Sequence, residues 1–336
     1  MYQPEIYGTV LSFMIFSMFC WGSWANTLKL CPGFRFQLFY WDYVVGLLAG
    51  ALLWGLTLGS FGATGRPFLA DIAAASLRNA ALAFAGGVVF NVANLLLVAA
   101  IDIAGLAVAF PIGIGLALVV GAAGNYAISP KGNPLLLFGG IALVVAAIVF
   151  DAIAYRMREE TRAAMSRRGI VISLIAGLLM GTFYPFVSKA MTGPNPIGPY
   201  AAVLFFALGV AACAVPFNFL LMRKPLDGRE PAAMKDYFRA SGSAHAWGIL
   251  GGVIWCTGAA LNFVASQAHI VGPAVSYSIG QGATMISASW GVFVWHEFAS
   301  APARSRVFLG WMFVFFLGGL AAVAMAPLFS WGGIGM

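Results

Sequence analysis

Charge is what this chain has least of. Only 9% of its 336 residues are Asp, Glu, Lys or Arg, while 61% are apolar; a typical soluble domain carries about 25% charged residues. That excludes a chain whose whole surface meets water. Histidine is scarcer still, with His245, His269 and His296 the three present. They are widely separated in sequence, and no metal-ligand pair on a helix face, nucleophile elbow or convincing triad accompanies them. The chain therefore reads as no enzyme, with no cofactor or metal required. Its four cysteines, Cys20, Cys31, Cys213 and Cys256, include no CxxC and no nearby histidine at ligand spacing. They read as small packing residues. Gly113-Ile114-Gly115 is no dinucleotide fingerprint, because it lies inside an apolar stretch without a preceding strand. No nucleic-acid module is apparent either, so the net charge of +7 does not point to nucleic acid. Also missing are a basic n-region and a small-residue cleavage site at the N-terminus, where Glu5 sits. The first apolar stretch thus reads as a retained span.

Long apolar runs fill the rest. A helix crossing a bilayer needs about 20 apolar residues, and ten such stretches occur near 6–28, 38–58, 79–101, 104–128, 134–154, 169–190, 198–222, 246–267, 271–296 and 307–329. The expected fold is an all-α integral membrane protein. Two regions are near copies: Gly105–Ile128 lies on Gly272–Trp295 without a gap, with glycines coincident at Gly105/Gly272, Gly113/Gly280, Gly115/Gly282 and Gly124/Gly291. Gly86-Gly87 likewise matches Gly251-Gly252, and Gly22-Ser23-Trp24 echoes Gly181-Thr182-Phe183. A charged linker at 155–168 separates five spans from five, so the second copy enters from the opposite face. The expectation is ten transmembrane helices as two inverted five-helix repeats, 1–154 and 169–336, joined by a cytoplasmic linker into one membrane domain. Membrane proteins of this build are usually transporters.

The 18 Lys and Arg residues report orientation. Four, Arg66, Arg78, Lys131 and Lys189, fall on the side of the N-terminus and the other fourteen on the opposite side. By the positive-inside rule both termini face outward in a cell (plasma or inner) membrane, and the basic loops meet cytoplasmic lipid headgroups. Glycines four apart, as in Gly46/Gly50 and Gly248/Gly252, predict close helix packing. Pro111 and Pro185 interrupt apolar helices and free backbone carbonyls. The loop at 59–78 reads as external with a short interfacial helix, and that at 223–245 as the largest cytoplasmic piece.

Polar residues within spans are the candidate site. Asp42 lies about two turns inside the second span, and an intramembrane acid that pairs, faces water or relays protons makes it the proton-coupling candidate. The competing reading is a headgroup-level carboxylate bonded to Tyr43 or paired with Lys29 or Arg35. Asn91 and Asn94 share a helix face and suit neutral hydroxyl or ureido groups, or else hold the bundle through an interhelical bond of about 0.6 kcal/mol. In the second half Asn262 and Gln267 lie in the eighth span, and Ser276, Tyr277, Gln281 and Thr284 in the ninth. Gln281 and Thr284 share a face, and the repeat equivalent of Gln281 is Ile114. A polar group present in one copy alone points to substrate rather than to shared packing. Trp21 and Trp24, with Phe183 and Tyr184 at the corresponding level of the sixth span and Trp255 as a weaker member, offer aromatic faces to a ring or planar group. Core packing and the interfacial belt are the alternatives.

The run Ala85–Val89, followed by Asn94-Leu95-Leu96, Gly105–Val108 and Gly124-Asn125-Tyr126, resembles the third and fourth spans of the plant ureide permeases and their bacterial relatives. Tyr40-Trp41-Asp42-Tyr43 and the stretch Trp290-Gly291 to Glu297 are similar to that family too. Its members sit with the glucose/ribose porters in the drug/metabolite transporter superfamily. The resemblance implies the ten-helix inverted repeat, a central site and proton-driven import of a small polar solute, a sugar or a ureide or nucleobase-like compound. Glu297 resembles an acid with a structural role beside basic loop residues. Plant members carry a long central insertion with a phosphate-loop-like sequence, whereas this chain has only 155–168, so nothing points to nucleotide binding. Substrate is expected between the first, third, sixth, eighth and ninth spans. Metabolite or drug export, uncoupled facilitation and a scaffold or enzyme subunit are the alternative functions, and a homodimer is left open.

Overall fold

With no water in a bilayer core to satisfy backbone N–H and C=O groups, a long apolar stretch folds as a helix that pairs them internally. The computed structural model describes residues 1–158, 166–225 and 230–329, and all regular structure among them is helical. In chain order the helices are α1 (Tyr7–Ser23), α2 (Asn26–Lys29), α3 (Phe36–Leu56), α4 (Phe68–Ala74), α5 (Leu77–Ala104), α6 (Leu106–Ile128), α7 (Pro134–Arg158), α8 (Arg167–Thr192), α9 (Pro199–Arg223), α10 (Met234–Phe238), α11 (Gly242–Ser266), α12 (Pro273–Gly280), α13 (Ala283–Ser289) and α14 (Ala303–Met325). A π-helical turn, Trp290–Val294, follows α13.

Among the described residues nine helical stretches are long and apolar enough to cross a membrane, α1 and α2 together forming the first. The protein is therefore a multi-pass membrane protein. The stretch expected as an unbroken ninth span at 271–296 is instead three pieces, α12, α13 and the π-helical turn. The interruption falls at Gln281-Gly282. Glycine is a poor helix former, and Gln281 lies between Gly280 and Gly282. Pro111 and Pro185 do lie inside α6 and α8. The centre of the charged linker, 159–165, lies outside the described residues.

Side-chain volume fixes the helix pairing. α5 packs on α8 and α9, α7 on α14, α6 on α8, and α3 on α11. A Cβ on Gly46 would stand 1.9 Å from the Ile249 carbonyl oxygen, and one on Gly252 2.0 Å from that of Tyr43. Hence α3 and α11 meet backbone to backbone along the two glycine pairs. Gly87 and Gly209 do the same for α5 and α9, where an added Cβ would stand 2.0 Å from the carbonyl oxygens of Phe206 and of Phe84. A Cβ on Gly140 of α7 would stand 2.6 Å from the Gly319 carbonyl oxygen, and one on Gly319 of α14 2.7 Å from that of Gly140.

Loops tie the two ends. In the 59–78 segment the short helix is α4. There Gly198 N donates to Asp71 Oδ2 at 2.6 Å, Arg66 reaches Asp71 at 3.3 Å and the Pro196 carbonyl at 3.1 Å, and Asn79 donates to the Pro194 and Asn195 carbonyls. At the opposite end of α3, α10 lies over the loop preceding α3, with Phe34, Leu38, Met222 and Tyr237 in one cluster.

Candidate functional site

The break in the ninth span opens on a cavity of about 690 Å³. That is within the roughly 300–1,000 Å³ range of small-molecule sites. Its walls come from α1 (Trp21, Gly22), the α1–α2 junction (Trp24, Ala25), α5 (Phe90, Asn94), α8 (Met180, Phe183), α11 (Trp255) and the two sides of the break (Gln281, Ala283, Thr284). The cavity extends to the loop Gly33–Phe36. Among the described residues Arg35 is its one charged lining residue.

Aromatic rings are prominent in its lining. Trp21 stacks on Trp255 with centroids 5.8 Å apart and donates its Nε1–H to the Trp255 carbonyl at 3.2 Å. Phe90 packs between Trp255 and Phe183, at 4.4 and 5.3 Å, and Trp24 leans on Tyr43 at 4.8 Å. Ring faces held this way suit a sugar ring or a planar solute, whose apolar faces they match.

Polar groups are few and point from the break. Thr284 Oγ1 donates to the Gln281 carbonyl at 3.1 Å, which closes the turn between α12 and α13. Gln281 itself is half-buried at the cavity wall, where its amide offers a donor and an acceptor. Ile114, its repeat equivalent, lines the same cavity. Across from it Asn94 Nδ2 donates to Tyr40 Oη at 3.4 Å, and that hydroxyl donates to Asn91 Oδ1 at 2.8 Å.

Seven of the sequence-derived candidates thus share the cavity: Trp21, Trp24, Asn94, Phe183, Trp255, Gln281 and Thr284. Others do not reach it. Asn91 is fully buried behind Asn94, on Tyr40. Tyr184 Oη donates to Asn262 Oδ1 at 2.7 Å, Asn262 Nδ2 to the Ser276 carbonyl at 2.9 Å, and Ser276 Oγ back to the Asn262 carbonyl at 2.8 Å. Tyr277 Oη donates to the Ala117 carbonyl at 3.0 Å. These bonds lace α8, α11, α12 and α6 together. The apolar lining of Phe90, Leu97, Phe110 and Ile114 carried no signal in sequence, since a wall leucine looks like a packed one.

Asp42 is buried but outside the cavity. Its Oδ1 accepts from Tyr237 Oη at 2.7 Å, and its Oδ2 lies 2.8 Å from His245 Nδ1. Neither Tyr43, Lys29 nor Arg35 is its partner. Lys29 pairs with Glu297 and Arg35 donates to the Glu230 carbonyl at 2.8 Å. The Tyr237 hydroxyl, on α10 outside the spans, is pushed up to about 12 by burial and then by the Asp42 carboxylate, so it stays a donor. The pairing of His245 with Asp42 was not legible in sequence because the two lie 203 residues apart.

A ladder joins the first span to the end of the ninth. Trp290 Nε1 donates to Ser23 Oγ at 2.8 Å, Trp295 Nε1 to Asn26 Oδ1 at 2.7 Å, and Lys29 Nζ to Glu297 Oε1 at 2.6 Å. Arg158 and Tyr155 approach the other Glu297 oxygen at 3.0 and 3.2 Å. Burial raises the Glu297 carboxyl, but the Lys29 hydrogen bond and the charges of Lys29 and Arg158 outweigh it and hold the group below its ordinary value. Glu297 thus takes the structural position beside basic residues that its resemblance implied.

Comparison with known proteins agrees with this architecture. A family model described as sugar transport protein matches residues 14–326. Ureide permease 1 of Arabidopsis thaliana is 22% identical, the match covering 96% of this chain and 98% of that protein. Ureide permease 2 of the same plant is 23% identical with the same coverage. A probable ureide permease A3 of Vigna unguiculata is 23% identical over 79% of this chain and 90% of its own. One solved crystal structure shares the fold at a TM-score of 0.61 and 14% identity, covering 95% of this chain and 98% of that one.

Proposed function

Because the chain belongs to the sugar transport protein family, and is a non-enzymatic membrane transporter of small solutes, we propose that it imports a neutral polar solute with protons. The solute is a sugar or a ureide, the classes named by the matching family and by its ureide permease relatives, or a nucleobase-like compound of the same neutral donor and acceptor chemistry. The observation that carries the reading is Gln281 at a helix break, facing a cavity walled by Trp21, Trp255 and Phe183. Interrupted helices mark substrate sites in transporters, because freed polar groups there meet the solute. Asn94, Gln281 and Thr284 offer neutral donors and acceptors. No carboxylate lines the cavity among the described residues, and Arg35 does, which favours neutral solutes over organic cations.

The inverted-repeat organisation, 1–154 against 169–336, is part of the proposal. Packing supports it: several of the main contacts between helices have a counterpart with the halves exchanged. α5 on α8 answers α1 on α11, α3 on α11 answers α5 on α9, and α6 on α8 answers α1 on α12 and α13. With both termini outward by the positive-inside count, the cavity's reach toward Gly33–Phe36 is a reach toward the cytoplasm. Ties around Asp71 then close the outer end.

The test is uptake by purified protein in liposomes of labelled pentoses, hexoses, allantoin, uracil and xanthine, with and without an inward proton gradient. Gradient-dependent accumulation of one class is the expected result. Equilibration without accumulation would replace symport by facilitation.

A further inference from the structure

Coupling needs a group that binds a proton and reports to the cavity, yet Asp42 does not line it. We infer that His245, paired with Asp42, is the proton-binding site of the transport cycle and that it acts on the cavity through Phe34. This rests on the proton-coupled reading above.

Three observations converge on it. Histidine is the side chain whose charge ordinarily changes between about pH 5 and 8, and His245 Nδ1 lies 2.8 Å from Asp42 Oδ2. The imidazole side chain is 26% exposed and the carboxylate 4%, so of the two groups the ring is the more accessible to protons. Asp42 also holds Tyr237 through its second oxygen, which pins α10 to α3 by the same group. Phe34 contacts both sides of this arrangement, 5.7 Å from the His245 ring and 6.5 Å from that of Tyr237, and it lines the cavity.

Proton bookkeeping is simple. Nδ1–H donates to Asp42, so Nε2 gains and loses the proton. Protonation turns a pair of net charge −1 into a neutral imidazolium–carboxylate pair, which tightens α11 and α10 on α3. Loss of that proton to water at the α10 end loosens them. Other ionisable groups on the surrounding elements are Cys31 and Arg35 before α3, Tyr40 and Tyr43 on α3, Cys213 and Arg223 on α9, Lys235 and Asp236 on α10 with Arg239 at its end, and Cys256 on α11. Arg35 is engaged by the Glu230 carbonyl and Cys31 approaches the Ala244 carbonyl at 3.8 Å.

The experiment compares wild type, His245→Gln, Asp42→Asn, Tyr237→Phe and Asp151→Asn in liposomes, with labelled ribose or allantoin, whichever the wild type exchanges. Counterflow at equal pH reports binding and alternation, and uphill accumulation with an internal pH dye reports coupling. His245→Gln and Asp42→Asn are expected to keep counterflow but lose accumulation and solute-driven acidification. Asp151, a second buried carboxylate, lies on α7 and has no bond to His245 or Tyr237 among the described residues, and Asp151→Asn keeps both. Full accumulation by His245→Gln, or its loss in Asp151→Asn alone, would overturn the inference. Wild type that never accumulates either solute would instead remove symport itself, and the inference with it. Should His245→Gln lose counterflow as well, Tyr237→Phe decides. A displaced pH profile of accumulation supports the site, and an unmoved one refutes it.

Discussion

Lys29 of α2 and Glu297 beyond the π-helical turn stand 268 residues apart in sequence and 2.6 Å apart in space. With Ser23 and Asn26 also bonded to Trp290 and Trp295, the pair finishes a ladder up one face of the first span. Such an ionic rung is exposed enough for water and salt to weaken it, so its weight lies in alignment.

Glu297 gives the ladder a pH dependence. Its folded value lies below the ordinary 4.5, so its stabilisation is fully present above about pH 4.5 and fades as pH falls through the lowered folded value. Glu297→Gln is expected to lower Tm near neutral pH and to flatten the acid limb of the Tm profile. Thermal melting of detergent-solubilised protein across that range checks both, and an unchanged acid limb would refute the assignment.

Gln281→Ile installs the residue found at the equivalent Ile114. Loss of a net hydrogen bond of about 1 kcal/mol should weaken solute affinity roughly fivefold, with Tm unchanged. Counterflow KM beside a melting curve separates the two quantities.

Asn262→Ala should do the reverse. It strands the Tyr184 hydroxyl and the Ser276 carbonyl, whose bonds it supplies, at a cost of about 1–3 kcal/mol per buried group left unsatisfied. A fall in Tm without a selective rise in KM is expected. Asn94→Ala, at the cavity wall, is expected to raise KM more than it lowers Tm.

Gly46→Ala and Gly252→Ala put a methyl within 2.0 Å of a facing backbone oxygen, whereas Gly139 has nothing within 4 Å of the added carbon. The first two should yield little monodisperse protein and Gly139→Ala a normal amount. Size-exclusion profiles after solubilisation read this directly.

Span positions were legible from hydropathy because lipid demands long apolar helices whatever their neighbours. Most predicted ends fall within a few residues of the helices found. The broken ninth span was less visible: Gly280-Gln281-Gly282 lowers helix propensity without the marker of a proline. Asn91 and Asn94 share a face as their spacing requires, but the position of Tyr40 determines which of them meets the cavity. Asp42 stood out as a buried acid, while its partners lay on α10 and α11, beyond the reach of any local pattern. Long-range pairing is a tertiary fact, and a single sequence holds only its two ends.

The break at Gln281-Gly282 leaves two pieces clamped to different partners. Above it, Ser276 and Tyr277 bond to α11 and α6, and below it Trp290 hangs on α1. Because those hydrogen bonds hold the two pieces to different helices, the turn at Gln281 is the place where a swing of the first span against the fourth is taken up most easily. A solute held there rests on the fulcrum, where a lever travels least. Such a carrier reorients its doorways around a nearly stationary cargo.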